Sequence, residues 1–201
     1  MIFIDIETIP DQEAIKSRQW QEYKDRAGKP DDDAALHPAF AQIVCIGAFD
    51  ISENSSFTSC GVNEGIILRE FVQFLPKKTV FCGHNIKTFD LPMIAARMLA
   101  HWMKIPPCLS VAGKKPWEID HVDTMELLRF GAGKTVSLDA ACLMLSIASP
   151  KNGEVRSHSV ADAVKNENFQ GIAEYCMRDV NAATRVFLRL RDCLPFCPGA
   201  S

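Results

Sequence analysis

The sequence has no uninterrupted apolar run that approaches 18 residues, which excludes a membrane-spanning helix. It also has no excess of positive charge, since 22 Lys and Arg stand against 25 Asp and Glu for a formal net charge of −3. That balance excludes a strongly basic nucleic-acid coat protein, but not a nucleic-acid enzyme whose positive charge is confined to one groove. The amino terminus has no basic stretch and carries Asp5, so we expect no signal peptide.

Cys-x-x-Cys motifs are absent too, although the chain contains eight cysteines. They lie apart, several within apolar runs, a pattern typical of reduced, buried cysteine in a cytoplasmic protein. The close pair Cys193 and Cys197 leaves a terminal zinc site as a minor alternative. With 47% hydrophobic and 23% charged residues, the composition is that of a globular protein. We predict one cytoplasmic domain over residues 1–201.

The order of elements predicts an α/β fold with a mixed sheet, because strands come first and helices dominate later. The predicted strands cover residues 2–7, 42–49, 55–60, 79–83 and 119–122, and the predicted helices 64–74, 91–103, 124–130, 137–145 and 169–190. Residues 11–41 have few apolar side chains and include three consecutive aspartates. We interpret them as an insertion between two strands that gates the substrate, binds a partner or covers a sheet edge.

Two acids, Asp5 and Glu7, lie in the first apolar strand. Residues two apart on a strand point to the same face, so these carboxylates project together. Two like charges side by side at the end of a buried strand are unfavourable unless a cation neutralises them. A solvent-exposed strand end with two harmless acids is the alternative.

A third acid, Asp90, follows the strand that ends at Gly83 and stands just before Pro92. Acids are favoured at helix N-termini and proline in the first turn, so one interpretation of Asp90 is an N-cap. The other is a carboxylate that also faces Asp5 and Glu7 and adds a third ligand for the same cation.

The long terminal helix carries Tyr175 and Asp179, which share a face because they are four residues apart. That face is otherwise apolar, and an acid there predicts that Asp179 meets the other acids; a core position is the alternative. A cluster of carboxylates without histidine or cysteine ligands selects Mg²⁺ or Mn²⁺. Two such ions, held about 3.5–4 Å apart, serve phosphoryl transfer.

In chain order, Asp5-x-Glu7, Asn85-x4-Asp90 and Tyr175-x3-Asp179 resemble the three motifs of the DEDD 3′–5′ exonucleases. The second, Gly-His-Asn-Ile-Lys-Thr-Phe-Asp-Leu-Pro, and the third are similar to those of the proofreading domain of B-family DNA polymerases. In the histidine subclass a histidine stands five residues before the last acid. Here that position is a glutamate, so the chain resembles the tyrosine subclass. The chain has no room for a polymerase, so the resemblance implies a stand-alone exonuclease.

The resemblance implies a ribonuclease H-like fold with a mixed five-stranded sheet flanked by helices, and two Mg²⁺ or Mn²⁺ ions as cofactors. It implies that Asp5 contacts both ions and that Glu7 and Asp179 hold the ion that activates the water. It also implies that Asp90 binds the second ion, directly or through water. Tyr175 orients the attacking water, because a hydroxyl with a pKa of about 10 is a poor base at neutral pH.

The resemblance also places Asn85 and Phe89 beside the bound strand, where Phe89 can stack on a base. The backbone from Ile6 to Thr8 would contact the 3′-terminal nucleotide. A turn-stabilising amide and a core aromatic ring are the alternatives for Asn85 and Phe89.

Phosphate contacts are expected from scattered basic side chains in polar loops, since the sequence has no basic block. The candidates are Lys87, Lys114, Lys115, Lys151 and Arg156. We interpret His84 and His121 as structural, and Asp123 as the cap of the helix that begins at Thr124.

We therefore expect a Mg²⁺- or Mn²⁺-dependent 3′–5′ exonuclease that acts on a single-stranded end, DNA rather than RNA, and releases 5′-monophosphates. One alternative is an RNA-directed exonuclease of the same fold, because discrimination of the 2′-hydroxyl depends on the shape of the cleft. A second is a non-catalytic nucleic-acid-binding module. The complete set of four acids and one tyrosine argues against that second alternative.

Overall fold

The computed structural model describes residues 1–115, 118–131, 133–152, 155–156 and 159–195. Its strands are β1 (Ile2–Pro10), β2 (Ala41–Asp50), β3 (Ser55–Cys60), β4 (Phe81–Gly83) and β5 (Val122–Asp123). Its helices are α1 (Arg18–Ala27), α2 (Glu64–Phe74), α3 (Asp90–Ala100), α4 (Thr124–Leu128), α5 (Leu138–Met144), α6 (Val160–Lys165) and α7 (Phe169–Cys193). Short 3₁₀ turns cover Ala14–Lys16, Asp31–Leu36 and Pro107–Leu109.

The strands form a five-stranded sheet in the order β3-β2-β1-β4-β5 within the described ranges. β1 pairs antiparallel with β2 and parallel with β4, β2 pairs antiparallel with β3, and β4 pairs parallel with β5. Helices cover both faces of this sheet. The predicted α/β class and mixed five-stranded sheet flanked by helices are confirmed.

β1 is central, and its alternate residues face opposite layers. The even-numbered isoleucines of β1 pack in one core with side chains of α2 and α3. Phe3 packs on the other side against α7, where its ring centroid lies 5.5 Å from that of Phe187. Asp5 and Glu7 follow Phe3 in steps of two, so the pleat puts both acids on the face covered by α7.

Helix α7 packs unusually close to the sheet at Gly47, which lies opposite Asp5 in the β1–β2 register. A Cβ added to Gly47 would lie 2.9 Å from Cys176 Sγ and 3.1 Å from Met177 Sδ, closer than carbon normally approaches sulfur. The absence of a side chain at Gly47 therefore lets α7 lie against the strand that carries the two acids. The Cys176 thiol donates a hydrogen bond of 3.3 Å to the Asp5 carbonyl oxygen at the same contact.

The insertion between β1 and β2 is joined to the main fold by hydrogen bonds from Thr8 and Arg97. Trp20 of α1 is fully buried, and its Nε1 donates to Asp31 Oδ1 at 2.7 Å. The Thr8 hydroxyl donates to the Ala35 carbonyl at 2.8 Å, which fixes the turn Asp31–Leu36 against β1. Arg97 of α3 ion-pairs with the buried Glu64 of α2 and donates to the carbonyl of residue 38. These contacts place the aspartate-containing turn beside the acids of β1.

Some predicted boundaries were wrong. The fifth strand is Val122–Asp123 and not 119–122, and the fourth is Phe81–Gly83, because only these residues pair in the parallel ladder. Helix α6 (Val160–Lys165) was missed, since six residues with two buried side chains give too short an apolar pattern to recognise. In the described residues no helix combines the length and hydropathy that crossing a membrane requires.

The expectation that all cysteines are reduced was also wrong, because Cys45 and Cys60 form a disulfide. These residues are direct partners in the antiparallel β2–β3 register, a relation that their separation of 15 positions does not reveal. Cys82, Cys142 and Cys176 are buried and form no disulfide, as expected. Cys197, the second residue of the zinc alternative, lies outside the described residues.

Candidate active site

Asp5 and Glu7 project from β1 into a cavity bounded by α7. Glu7 is 7% exposed, whereas Asp5 keeps partial access at the cavity. The β1–β2 register shifts between Glu7 and Thr8, which marks a β-bulge directly after the second acid. Bulges re-aim side chains next to active sites. The strand position of the acids was predictable, but the bulge has no signal in the sequence.

Asp90 is the first residue of α3 and is 3% exposed. It is not the N-cap, which is Phe89 without a side-chain cap bond. Asp90 Oδ1 instead accepts from the Ile6 N–H at 3.1 Å. That N–H faces the side of β4, whose pairing with β1 ends at Phe3, so it has no strand partner there. Asp90 therefore bonds to the residue between the two acids of β1.

Tyr175 and Asp179 lie one turn apart on α7 and face the same cavity. The Tyr175 hydroxyl lowers the pKa of Asp179 and so opposes the effect of burial on that acid. One oxygen of the acid, Asp179 Oδ1, is buried and has no hydrogen-bond partner among the described residues. A buried carboxylate oxygen without a donor is unfavourable unless something outside the chain pairs with it.

The residues around these groups enclose a cavity of about 540 Å³, which we call the acidic cavity. Its lining residues are Asp5, Ile6, Glu7, Thr8, Asp32, Asp33, Ala35, Leu36, Phe89, Tyr175 and Asp179. The structure thus brings seven of the nine residues predicted for catalysis, metal binding and contact with the terminal nucleotide to one cavity. Asp90 is hydrogen-bonded to Ile6 but does not line the cavity, and neither does Asn85.

Asn85 stabilises a turn. It has a positive φ of 70°, its N–H donates to Asp123 Oδ1 at 2.8 Å, and its side-chain oxygen accepts from the Thr88 hydroxyl. Asp123 also accepts from the Lys87 N–H at 3.1 Å and caps α4 through the Met125 N–H, so its predicted capping role is confirmed. These bonds fix the loop that leads into Asp90.

The two histidines that were interpreted as structural are held by hydrogen bonds on both ring nitrogens. The His84 nitrogens contact the Thr124 hydroxyl and the carbonyl of residue 136. The His121 nitrogens contact the Phe81 N–H and the Cys108 carbonyl. Burial lowers the pKa of both imidazoles, in keeping with neutral structural groups.

Sequence reasoning missed the part of the cavity wall that comes from the insertion. Asp32, Asp33 and Leu36 lie on the turn Asp31–Leu36, and Leu36 is 63% exposed. The run of aspartates was visible in the sequence, but no pattern linked it to β1. The link is the hydrogen bond from Thr8 to Ala35, a contact across 27 positions.

Burial and mutual repulsion make it unfavourable for all four acids of the cluster to be negatively charged at once. Burial raises the pKa of Asp5 and Glu7 well above the usual range, and repulsion from the neighbouring acids raises both further. Burial also raises the pKa of Asp90 to about 7 and that of Asp179 to about 6. Burial and the adjacent acids raise the pKa of Tyr175, so its hydroxyl stays protonated.

The donor set fits a hard divalent cation. Carboxylate oxygens of Asp5 and Glu7 lie within 4.8 Å of one another and of Cys176 Sγ. Burial raises the pKa of Cys176, and the nearby acids raise it further, so the thiol stays protonated and the oxygens are the better ligands. The partnerless Asp179 Oδ1 provides a further acceptor. Oxygen ligands of this kind suit Mg²⁺ or Mn²⁺.

A family described as predicted 3′–5′ exonucleases related to the exonuclease domain of PolB matches residues 35–194. The chain belongs to this family. The matched region contains Asp90, Tyr175 and Asp179, while Asp5 and Glu7 precede it. Membership confirms the resemblance found in the sequence, makes the chain a predicted 3′–5′ exonuclease, and implies a nucleic-acid substrate and divalent metal.

The fold of this exonuclease-family chain is similar to that of a solved polymerase. The structure of the family B DNA polymerase from the hyperthermophilic archaeon Pyrobaculum calidifontis matches with a TM-score of 0.61 and 18% identity. The match covers 94% of this chain and 24% of the polymerase, so the chain spans about a quarter of that protein's length. No curated protein matches this chain. The ribonuclease H-like architecture expected from the sequence agrees with this likeness.

Proposed function

We propose that the protein is a divalent-cation-dependent 3′–5′ exonuclease that hydrolyses the last phosphodiester bond of single-stranded DNA and releases 5′-monophosphates. One observation carries this proposal: acids from β1 and α7, with Tyr175, line one cavity, and Asp90 of α3 bonds to the strand between the first two. Family membership supports the reaction class. The choice of DNA follows the similar structure, which is a DNA polymerase.

The four acids would hold the metal: Asp5 and Glu7 from β1, Asp179 from α7 beside Tyr175, and Asp90 from α3, where it bonds to Ile6. Two bound Mg²⁺ or Mn²⁺ ions supply the charge that activates water and stabilises the leaving oxygen. In the reaction, the water oxygen bonds to the terminal phosphorus and the bond from phosphorus to the 3′ oxygen breaks. The water loses its proton to solvent, and the leaving oxygen takes one up.

Tyr175 would orient the attacking water. Its hydroxyl lies on the same cavity as Asp179 and stays protonated because of its raised pKa, which makes it a positioning group and not a base. Arg178 steadies the ring, with its guanidinium carbon 5.6 Å from the ring centroid. The same arginine donates to the carbonyl oxygens of residues 150 and 155.

The terminal nucleotide would lie between the backbone of Ile6 to Thr8 and Phe89. Ile6, Glu7, Thr8 and Phe89 all line the acidic cavity, and Phe89 offers a partly buried aromatic face. Asn85 was expected to lie beside the bound strand. Its hydrogen bonds are those of a turn-stabilising residue, and this is the role that we propose for it. That the chain forms one cytoplasmic domain stays a prediction.

The proposed function is tested by digestion of 5′-labelled single-stranded DNA and the matching RNA. Each is incubated with Mn²⁺, Mg²⁺ or EDTA, with the wild type, Asp5→Asn, and the control Asp162→Asn. Asp162 is an exposed acid of α6, with 70% of its side chain accessible. We expect a DNA ladder that shortens from the 3′ end, requires metal, and disappears only in Asp5→Asn.

Two outcomes contradict the proposed function. Cleavage of RNA alone assigns the chain to exoribonucleases. No cleavage of either strand, with binding retained, assigns it to non-catalytic nucleic-acid-binding modules. A melting curve of Asp5→Asn beside the wild type excludes misfolding as the cause of lost activity.

A further inference from the structure

A second cavity, of about 390 Å³, adjoins the loop that helps to form the acidic cavity. We call it the apolar cavity. Phe89 lines the acidic cavity and Lys87, two residues earlier, lines the apolar one. The main wall is α3, through Ala95, Ala96 and Leu99, and the facing wall is the loop that contains Val111 and Lys114. The segment 87–89 therefore connects the two cavities.

The charge of the apolar cavity is opposite to that of the acidic one. Its described lining includes Lys87 and Lys114 but no acid. Along the chain, no aspartate or glutamate occurs between Asp90 and Glu118, whereas four lysines and arginines do. A positively charged pocket in a protein with a net charge of −3 fits an anionic ligand.

Of the two lysines, Lys114 is the better phosphate ligand. Lys87 pairs with Glu126 at 2.8 Å, and its side chain is 9% exposed. Lys114 is exposed on the turn whose backbone bond joins its N–H to the Val111 carbonyl at 3.1 Å. Lys114 therefore presents the exposed positive charge of the cavity lining, whereas the charge of Lys87 is shared with Glu126.

The walls suit a flat apolar group. Ala95 and Ala96 of α3 and the aliphatic side chains of Val111 and Ala112 line the same space. Its volume lies within the range of about 300–1,000 Å³ that is typical of small-molecule sites. Nucleobases combine an apolar face with an attached phosphate, which matches apolar walls and one exposed ammonium group.

We propose that the apolar cavity is a second nucleotide-binding subsite for the strand whose 3′ end occupies the acidic cavity. An upstream base lies between Ala96 and Val111, and the Lys114 ammonium binds its phosphate. This assignment rests on the proposed function for the course of the strand. It makes strand length a determinant of affinity, since a dinucleotide in the acidic cavity leaves the second subsite empty.

The test measures affinity separately from hydrolysis. Fluorescein-labelled oligothymidylates of two to twelve nucleotides, each with a hydrolysis-resistant phosphorothioate at its last linkage, are titrated with the protein in Mg²⁺, and binding is followed by anisotropy. Lys114→Ala removes the charge, and Ala96→Leu fills the space. The matched controls are Lys104→Ala, an exposed lysine that does not line the cavity, and Ala100→Leu, an exposed alanine at the end of α3.

For the wild type we expect a step in affinity at the length that spans both cavities. Lys114→Ala and Ala96→Leu lose this step and bind longer strands about 10-fold more weakly, while dinucleotide binding is unchanged. The slope of log affinity against log salt falls by about 0.7 for Lys114→Ala, which is the value for one phosphate contact on a single strand. Ala96→Leu keeps the slope, and both controls behave as wild type.

Equal affinities of the variants and the wild type at every length overturn the second subsite and leave the cavity to another class of ligand, such as an acidic peptide. Equal losses for dinucleotides and long strands overturn it as well, because the residues would then act on the acidic cavity. If the step is present but no strand is hydrolysed with Mg²⁺ or Mn²⁺, the proposed function fails and the subsite stands.

Discussion

The two cavities on either side of segment 87–89 differ in charge and in what they can do. The described lining of the acidic cavity includes five acids and no lysine or arginine, whereas that of the apolar cavity includes two lysines and no acid. A phosphodiester is repelled by the first without a cation and attracted by the second. The side chains suited to hydrolysis therefore lie in the acidic cavity and those suited to holding a strand in the apolar cavity. Segment 87–89 connects the two.

The largest predicted effect comes from removing one charge of the acidic cavity. We expect Asp5→Asn to lower kcat/KM by more than about 100-fold, because loss of a metal ligand exceeds the loss from a residue that only supports one. We expect its affinity for single-stranded DNA in EDTA to be equal or higher, since a repelling charge is gone. Single-turnover cleavage and anisotropy measure the two quantities.

A parallel loss of DNA affinity in Asp5→Asn would contradict this separation of tasks between the cavities. Asp162→Asn serves as the matched control for an exposed acid.

A smaller effect is expected for Tyr175→Phe. Loss of a positioned hydroxyl is predicted to lower kcat by about 10- to 100-fold with little change in KM, because the group acts on the water and not on the strand. Tyr23→Phe, the other tyrosine of the chain, is the control. Full activity of Tyr175→Phe across neutral pH would rule out the orienting role.

Asp179→Asn separates stability from activity. Because the folded-state pKa of Asp179 is raised from 3.8 to about 6, its charged form destabilises the metal-free fold. The variant is expected to be more stable than the wild type in EDTA by on the order of 1 kcal/mol at pH 8. This difference in the free energy of unfolding between the variant and the wild type is absent below pH about 4. It grows between pH about 4 and 6 and is constant above pH about 6.

Denaturant titrations in EDTA and in Mg²⁺ measure this free energy of unfolding. Mg²⁺ is expected to stabilise the wild type more than Asp179→Asn, since the ion binds the folded site. Equal stability of the two proteins at pH 8 in EDTA would show that the carboxylate carries no electrostatic penalty.

The smallest effect is expected at the rim of the acidic cavity. Asp32 is exposed there, whereas its neighbours Asp31 and Asp33 pair with Lys24 and Lys29. Asp32→Asn is predicted to raise kcat/KM about 2- to 3-fold at low salt and to have no effect at high salt, as for other exposed charges.

Asp25→Asn, an exposed change in the same insertion that does not line the cavity, is the control for Asp32→Asn. A drop in activity of the Asp32 variant would instead make this acid part of the metal site.

The parts of the site that follow from local rules were predictable from the sequence. The strand period of two puts Asp5 and Glu7 on one face, and the helical spacing of four puts Tyr175 and Asp179 on another. Their meeting was inferred because buried acids need a common cation. The roles of these residues as ligands and as a water-orienting group stay predictions.

The parts that depend on contacts across the chain were not predictable. The hydrogen bond from Thr8 to Ala35 brings the insertion to the cavity, and no periodicity encodes it. The disulfide follows from the β2–β3 register, which a list of scattered cysteines does not contain. Asn85 occupies a motif position associated with substrate, yet its bonds stabilise a turn.

The close packing of α7 on Gly47 predicts the outcome of a mutagenesis screen. Gly47 carries no functional group, but a methyl group there would meet the sulfur atoms of Cys176 and Met177 and displace the helix that carries Asp179. Random mutagenesis scored by loss of nuclease activity should therefore recover substitutions at Gly47 alongside those of the acids. Substitutions at Gly61, where an added Cβ meets nothing within 4 Å, should be absent from the same collection.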